Sequence, residues 1–244
     1  MKTLTAIVTG GGTGIGKSTS LLLASKGYQI VVNYSRSAKD AEETCAEIIK
    51  LGGKAIAYKA NISDDKAVKS MVNICTSDLG RIDVLVNNAG TTHFIDHSNL
   101  VDLTDQVWED IFSVNIKGTF FACRAVLPEL KKSKGNIVNV TSVAGIAGNG
   151  SSIPYAMSKA ALNCMTKSLA KAFAPDVRIN AVAPGPVLTR WLAPHPNMIE
   201  QSLIHTPMKR AASPDDIAAA IVFLATGTSL MTGQVMVVDG GRTM

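Results

Sequence analysis

A short apolar run, Leu4 to Thr9, breaks into Gly10-Gly11-Gly12-Thr13-Gly14-Ile15-Gly16-Lys17-Ser18, and a segment of helical period follows. Glycines between a strand and a helix let the backbone turn tightly and bring amide groups and a helix N-terminus against a phosphate. The pattern GxGxxG cannot be placed on this loop, because the sixth residue from Gly10 is Ile15 and from Gly12 is Lys17. Two other patterns fit. Gly10, Gly14 and Gly16 match GxxxGxG, while Gly11, Gly16, Lys17 and Ser18 match GxxxxGK[ST], in which Lys17 would reach nucleotide phosphates and Ser18 a magnesium ion. The second pattern needs an acidic residue at the end of a neighbouring hydrophobic strand. The fourth apolar run ends instead in Asn87 and Asn88, and the only hydrophobic run closing on Asp is Val235 to Asp239, with five residues after it. A P-loop nucleoside triphosphatase is therefore the less supported alternative.

Beyond the loop, short β-branched runs alternate with longer helical segments, the signature of repeated strand-helix units on a parallel sheet. Strands are expected at Leu4–Thr9, Gln29–Asn33, Ala55–Lys59, Val84–Asn87, Asn136–Thr141, Arg178–Ala183 and Gln234–Val238. Helices are expected near Gly14–Ser25, Ala38–Leu51, Asp65–Leu79, Thr104–Lys131, Pro154–Ala172 and Pro214–Ala225, the last with Ser213 as N-cap. The expected fold is α/β, a single-domain doubly wound (Rossmann-type) seven-stranded parallel sheet with helices on both faces, over residues 1–244. Residues 184–212 form the one long stretch without a clear element. Trp191, Leu192, Leu203 and Ile204 make it too apolar for a solvated linker, so a substrate lid is expected there, with a packed excursion as the bland reading.

Composition excludes several classes. Cys45, Cys75, Cys123 and Cys164 lie at least 30 residues apart with no CxxC, which fits a reducing cytoplasm and no zinc site. His93 and His97 are four apart but lack supporting carboxylate spacing, so no metal is expected. Leu4 to Val8 is too short an apolar run for a secretory leader, and no stretch approaches the ~20 apolar residues of a membrane span. The net charge of +5 comes without a basic block, so nucleic acid is not an expected partner.

Tyr155 and Lys159, four apart at the start of a helix, share one face. In open parallel sheets ligands bind beyond the carboxyl ends of the strands, which gathers the glycine loop, Ser142 and this helix at one edge. With these residues in place the chain resembles the short-chain dehydrogenase/reductase family over nearly its whole length. The resemblance is carried by Thr9-Gly10-x-x-x-Gly14-x-Gly16, Asn87-Asn88-Ala89-Gly90, Asn115, Ser142, Tyr155-x-x-x-Lys159 and Pro184-Gly185, in the family's order and spacing. It implies hydride transfer between a nicotinamide and a carbonyl or secondary alcohol. Tyr155 would be the general acid or base, Ser142 would hold the substrate oxygen, Lys159 would bind the nicotinamide ribose, and Asn115 would support a water-linked proton relay. A free phenol, with a pKa near ~10, is a poor proton shuttle at neutral pH, so the Lys159 ammonium and an oxidised nicotinamide are expected to stabilise the phenolate.

The resemblance also implies the cofactor contacts. Gly10, Gly12, Thr13, Gly14, Ile15 and Gly16 would cradle the pyrophosphate. Asn61, Ile62, Asn88, Ala89 and Gly90 would line the adenosine and ribose. Pro184, Gly185, Val187 and Thr189 would flank the nicotinamide. The end of the second strand reads Tyr34, Ser35, Arg36, with no carboxylate to repel a 2′-phosphate and two side chains able to donate to one. NADPH is therefore the expected cofactor, with NAD use open.

For the substrate, a small or medium, partly apolar ketone is expected, in a pocket made by His93, Ala144, Ile146, Trp191, Leu192 and Leu203. The alternative is 3-oxoacyl-(acyl-carrier-protein) reduction, which the general look of the chain also resembles. Two features differ from those enzymes: Ser152-Ile153-Pro154 before the tyrosine, and Ala174-Pro175-Asp176 in place of a basic docking turn. A homotetramer is expected through the two long helices, on Phe120, Phe121, Val126, Leu162, Met165 and Leu169.

Overall fold

The computed structural model describes residues 3–244. The elements follow in order: β1 (Thr5–Val8), α1 (Gly14–Ser25), β2 (Gln29–Tyr34), α2 (Ala38–Lys50), β3 (Lys54–Lys59), α3 (Asp65–Leu79), β4 (Val84–Asn87) and α4 (Asp105–Phe112). Then come a π turn (Ser113–Gly118), α5 (Thr119–Ser133), β5 (Asn136–Val140), α6 (Ala144–Ala147), α7 (Ile153–Phe173) and β6 (Arg178–Pro184). The chain closes with α8 (Pro196–Ile204), α9 (Pro214–Val222), a second π turn and β7 (Val235–Val238). All seven strands pair in parallel, in the order β3-β2-β1-β4-β5-β6-β7.

The sheet is buried on both faces because successive side chains point to opposite sides. Ala6, Val8, Val32 and Val86 join a core beneath α1, α2 and α9, whereas Ile7, Val31, Leu85 and Ile137 join the core against α3, α5 and α7. The chain winds outward from β1 to β3 and then returns across β1 to β4. That reversal opens a crevice above the carboxyl ends of β1 and β4, where the glycine loop and Asn88-Ala89-Gly90 emerge.

Helix ends follow the local chemistry read from the sequence. At α9, the Ser213 Oγ accepts from the Asp216 amide at 3.2 Å, and the Asp216 carboxylate accepts from the Ser213 amide at 2.7 Å. The single helix expected over Thr104–Lys131 is instead α4 and α5 joined by the π turn, with Asn115 inside it. Two residues expected on an outer face are also corrected. Val126 and Leu162 are buried within the chain, Val126 in the core against the sheet, while Phe120 remains exposed.

The stretch after β6 is not structureless. Val187 forms a parallel bridge to Ala212, pinching the base of the excursion, and α8 lies within it. Among the described residues, no helix is long and apolar enough to cross a membrane.

Candidate active site

The glycine loop has the form a bound pyrophosphate needs. Gly10 and Gly14 adopt φ of +60° and +50°, a region that disfavours other residues, and a Cβ on Gly16 would stand 2.1 Å from the Gly10 carbonyl oxygen. The loop is held from beneath by β4. The Thr9 Oγ1 accepts from the amides of Asn88 and Ala89, both at 3.0 Å, and the Asn88 Nδ2 donates to the carbonyls of Thr9 (3.0 Å) and Gly10 (3.1 Å). Asn88 thus shapes the cradle through its side chain. The residues fit a dinucleotide. They do not form a triphosphate loop, because Lys17 reaches away to Glu47 on α2 at 2.8 Å.

Other expected contacts divide by what their side chains already do. Ser35 and Arg36 are exposed at the end of β2, Tyr34 is half-buried there, and Asn61 is exposed with its Oδ1 accepting from the Ser63 amide at 3.2 Å. Thr13, at the N-cap of α1, is half-buried, as is Ile15. The Ile62 side chain is committed to the core against Gly118, which leaves only its backbone for a ligand. Val187 is likewise buried, and Pro184 accepts from the Val143 amide at 3.0 Å. Thr189 lies over the loop, its Cγ2 3.1 Å from where a Gly14 Cβ would stand.

Helix α7 brings the tyrosine and lysine to the crevice. The Ser152 Oγ accepts from the Tyr155 amide at 3.4 Å and so caps the first turn, and Pro154 fits there because those amides have no helical partner. The helix is tied to the sheet by a buried chain: the Asn87 Nδ2 donates to the Asn139 Oδ1 and the Asn139 Nδ2 to the Thr166 Oγ1, each at 2.9 Å. The Lys159 Nζ is buried and donates to the Val140 carbonyl at 2.9 Å. Burial alone holds its pKa down to about 8.

Tyr155 departs from the expected electrostatics. Burial pushes its phenol up to about 12, and only the hydrogen bond with Ser142 draws it down. The Lys159 ammonium lies 5.6 Å from the ring centroid and is directed to Val140, so the chain alone does not activate the phenol.

Asn115 is fully engaged. Its Oδ1 accepts from the Thr91 amide at 2.8 Å, and its Nδ2 donates to the Thr91 carbonyl and the Ser158 Oγ, both at 3.0 Å. Ser158 in turn donates to the Tyr155 carbonyl at 2.7 Å. One amide side chain therefore fixes the loop after β4 to the first turns of α7. The parts converge around Gly90, where an added Cβ would meet the Asn115 Oδ1 at 3.3 Å, the Lys159 Nζ at 3.8 Å and the Trp191 ring at 3.9 Å.

The residues expected to wall the substrate pocket lie on three segments. Trp191 faces Tyr155 edge-on, and His195 stacks on Phe94 with ring centroids 3.8 Å apart. The His93 Nε2 pairs with the Asp110 carboxylate at 3.0 Å. Ala144 is buried, with its amide donating to the Ser142 Oγ at 3.1 Å, while Ile146 is exposed and Leu192 and Leu203 are half-buried. Sequence reasoning missed Thr9 as a hub, Ser158 as the link to Tyr155, and Arg190, which bridges to α2. Only Thr9 had a visible signal, its place at the end of β1 beside the glycines.

Comparison with known proteins gives one consistent picture. Residues 10–243 match the family model described as enoyl-(acyl carrier protein) reductase. The chain is 40% identical to the 3-oxoacyl-[acyl-carrier-protein] reductase of Synechocystis sp. over 244 residues, covering 98% of this chain and 96% of that one. It is 37% identical to the protein of the same description from Staphylococcus aureus, covering 99% of each. Among solved structures, a short-chain type dehydrogenase/reductase from Mycobacterium marinum superposes with a TM-score of 0.92 at 29% identity, covering 98% of this chain and 95% of that one.

Proposed function

The chain belongs to the short-chain dehydrogenase/reductase family, an NAD(P)-dependent oxidoreductase acting on CH–OH and C=O groups, and from that premise we propose that it uses NADPH to reduce a partly apolar ketone. The observation that carries this reading is the meeting of Ser142, Tyr155 and Lys159 at the crevice whose other wall is the glycine loop.

The nicotinamide, when bound, supplies the hydride, and the chain supplies position and charge. Gly10, Gly14 and the start of α1 would hold the pyrophosphate, with Thr189 over the loop. Ser35 and Arg36, exposed after β2, would donate to the 2′-phosphate. Ser142 holds the carbonyl oxygen, and Tyr155 gives it a proton from the phenol oxygen. A phenol held up to about 12 stays protonated across the neutral range but gives its proton up poorly, so the acid role needs a bound cofactor to bring that value down. Lys159, now donating to the Val140 carbonyl, would hold the nicotinamide ribose. Asn115 positions Thr91 and α7, and its place in a π turn is the kind of helix irregularity that accompanies functional sites.

A second reading, reduction of a 3-oxoacyl thioester on an acyl carrier protein, is favoured by the names of the relatives. Cofactor oxidation with three substrates separates the two: a ketone series, a 3-oxoacyl thioester on a small thiol, and the same acyl group on a carrier protein. Turnover of ketones without gain from the carrier supports the first reading, and a large gain from the carrier supports the second. No oxidation of NADPH with any of them counts against both.

The assembly we infer is a homotetramer in the cytoplasm. Phe120, Leu127, Leu169 and Phe173 line a groove of about 420 Å³ between α5 and α7, a face that a second copy of the chain would cover. Light scattering at micromolar concentration tests it, and a monomer would contradict it.

A further inference from the structure

We propose that Arg190, in the excursion after β6, determines preference for a cofactor 2′-phosphate; this rests on the NADPH reading above. Arg190 follows Thr189, which lies over Gly14. Its guanidinium then crosses to the far side of the glycine loop: Nη1 lies 2.9 Å from the Asp40 Oδ2 and Nη2 donates to the Ser37 Oγ at 2.7 Å, across 150 residues of sequence. The N-terminus of α2 sits directly against the loop, since a Cβ on Gly12 would approach the Ala41 backbone to 2.8 Å. Arg190 thus reaches Ser37 and Asp40 at the start of α2, the turn that follows the end of β2, where doubly wound sheets read the ribose 2′ position.

The charges there explain what it does. Arg36 and Asp40 alone would cancel, and an unpaired Asp40 carboxylate would repel a phosphate. Lys39 and Lys17 pair along α2 with Glu43 and Glu47, so they do not change that local balance. Arg190 pairs with Asp40, so the Asp40 charge no longer offsets that of Arg36. An exposed ion pair adds little to stability, so the consequence of this one is electrostatic. Because Arg190 precedes Trp191, the same short segment that covers Tyr155 also senses the cofactor's phosphate.

The test is the dissociation constant of NADPH and of NADH, by calorimetry, for the wild type, Arg190→Ala, Arg190→Lys and Arg190→Ala with Asp40→Asn, each first checked for an unchanged melting temperature without ligand. The expected result is a loss of roughly tenfold or more for NADPH in Arg190→Ala, with NADH little changed. Arg190→Lys should keep most of the preference, and Asp40→Asn should recover part of the loss. If the wild type prefers NADPH and Arg190→Ala leaves the ratio of the two constants unchanged, the inference is overturned and the cofactor reading stands. If the wild type binds both alike, the cofactor reading fails and the inference with it. Should Arg190→Ala unfold, the same ratio in Arg190→Lys and Arg190→Gln decides.

Discussion

Trp191 packs edge-on against the Tyr155 ring, with centroids 6.2 Å apart and planes at 68°. The indole covers one edge of the phenol ring, and burial pushes the Tyr155 pKa up. A residue of the excursion therefore lies directly against the acid.

Replacing Trp191 by Ala should alter the ranking of ketones by size, at about 1–3 kcal/mol per affected contact, with the NADPH dissociation constant little changed. Kinetics over a graded ketone series checks this. An unchanged ranking with collapsed NADPH affinity would make the segment a cofactor clamp.

Tyr155→Phe removes only the proton donor. Turnover should fall by roughly 100- to 10,000-fold while NADPH still binds. Retention of more than a few per cent of activity would take Tyr155 out of the acid role.

The phenol itself can be followed by ultraviolet tyrosinate absorbance, as the difference between wild type and Tyr155→Phe. Without ligand it should ionise only near about 12. Oxidised cofactor brings a positive charge that favours the phenolate, so the transition should move to lower pH. Reduction needs the protonated phenol, so its rate should fall as pH rises through the value in the reduced-cofactor complex, and alcohol oxidation should rise through the lower value in the oxidised-cofactor complex.

Lys159 carries a cost in the ligand-free fold. Its pKa is held to about 8 against an ordinary 10.5, so between those values the unfolded chain binds more protons and stability rises with pH. Below about 8 the full penalty applies, about 3 kcal/mol from that gap. Lys159→Met should therefore melt higher than wild type at neutral pH without ligand, with the gain shrinking above pH 8. It should also weaken cofactor binding. A variant that melts lower at every pH would show that the bond to Val140 outweighs the buried charge.

The sheet was legible because most strands are short apolar, largely β-branched runs between turn residues, and Ser213-Pro214 marks a helix start that the structure reproduces. The tetrad was legible through spacing. What its members bond to was not: Thr91, Asn115 and Ser158 are separated by 24 and 43 residues and meet only through the fold. The π turn leaves no periodicity signal in so short a stretch, so one long helix was expected. The Tyr155 pKa depends on burial by the whole fold, including contact with Trp191, 36 residues away, and local sequence carries no measure of that. Arg190 stands as an isolated cation among apolar residues, and nothing near it in sequence points to Asp40.

The bridge between Val187 and Ala212 makes residues 188–211 a cassette whose two ends meet at one point of the scaffold. Its length and contents can change without altering any strand pairing, since the entropy of closing a loop grows only slowly with its length. Transplanting a relative's segment between those two positions should therefore yield a folded chimera. Because Thr189, Arg190 and Trp191 lie inside that cassette, exchanging it would change the covers over the glycine loop and over Tyr155 together, in a single step.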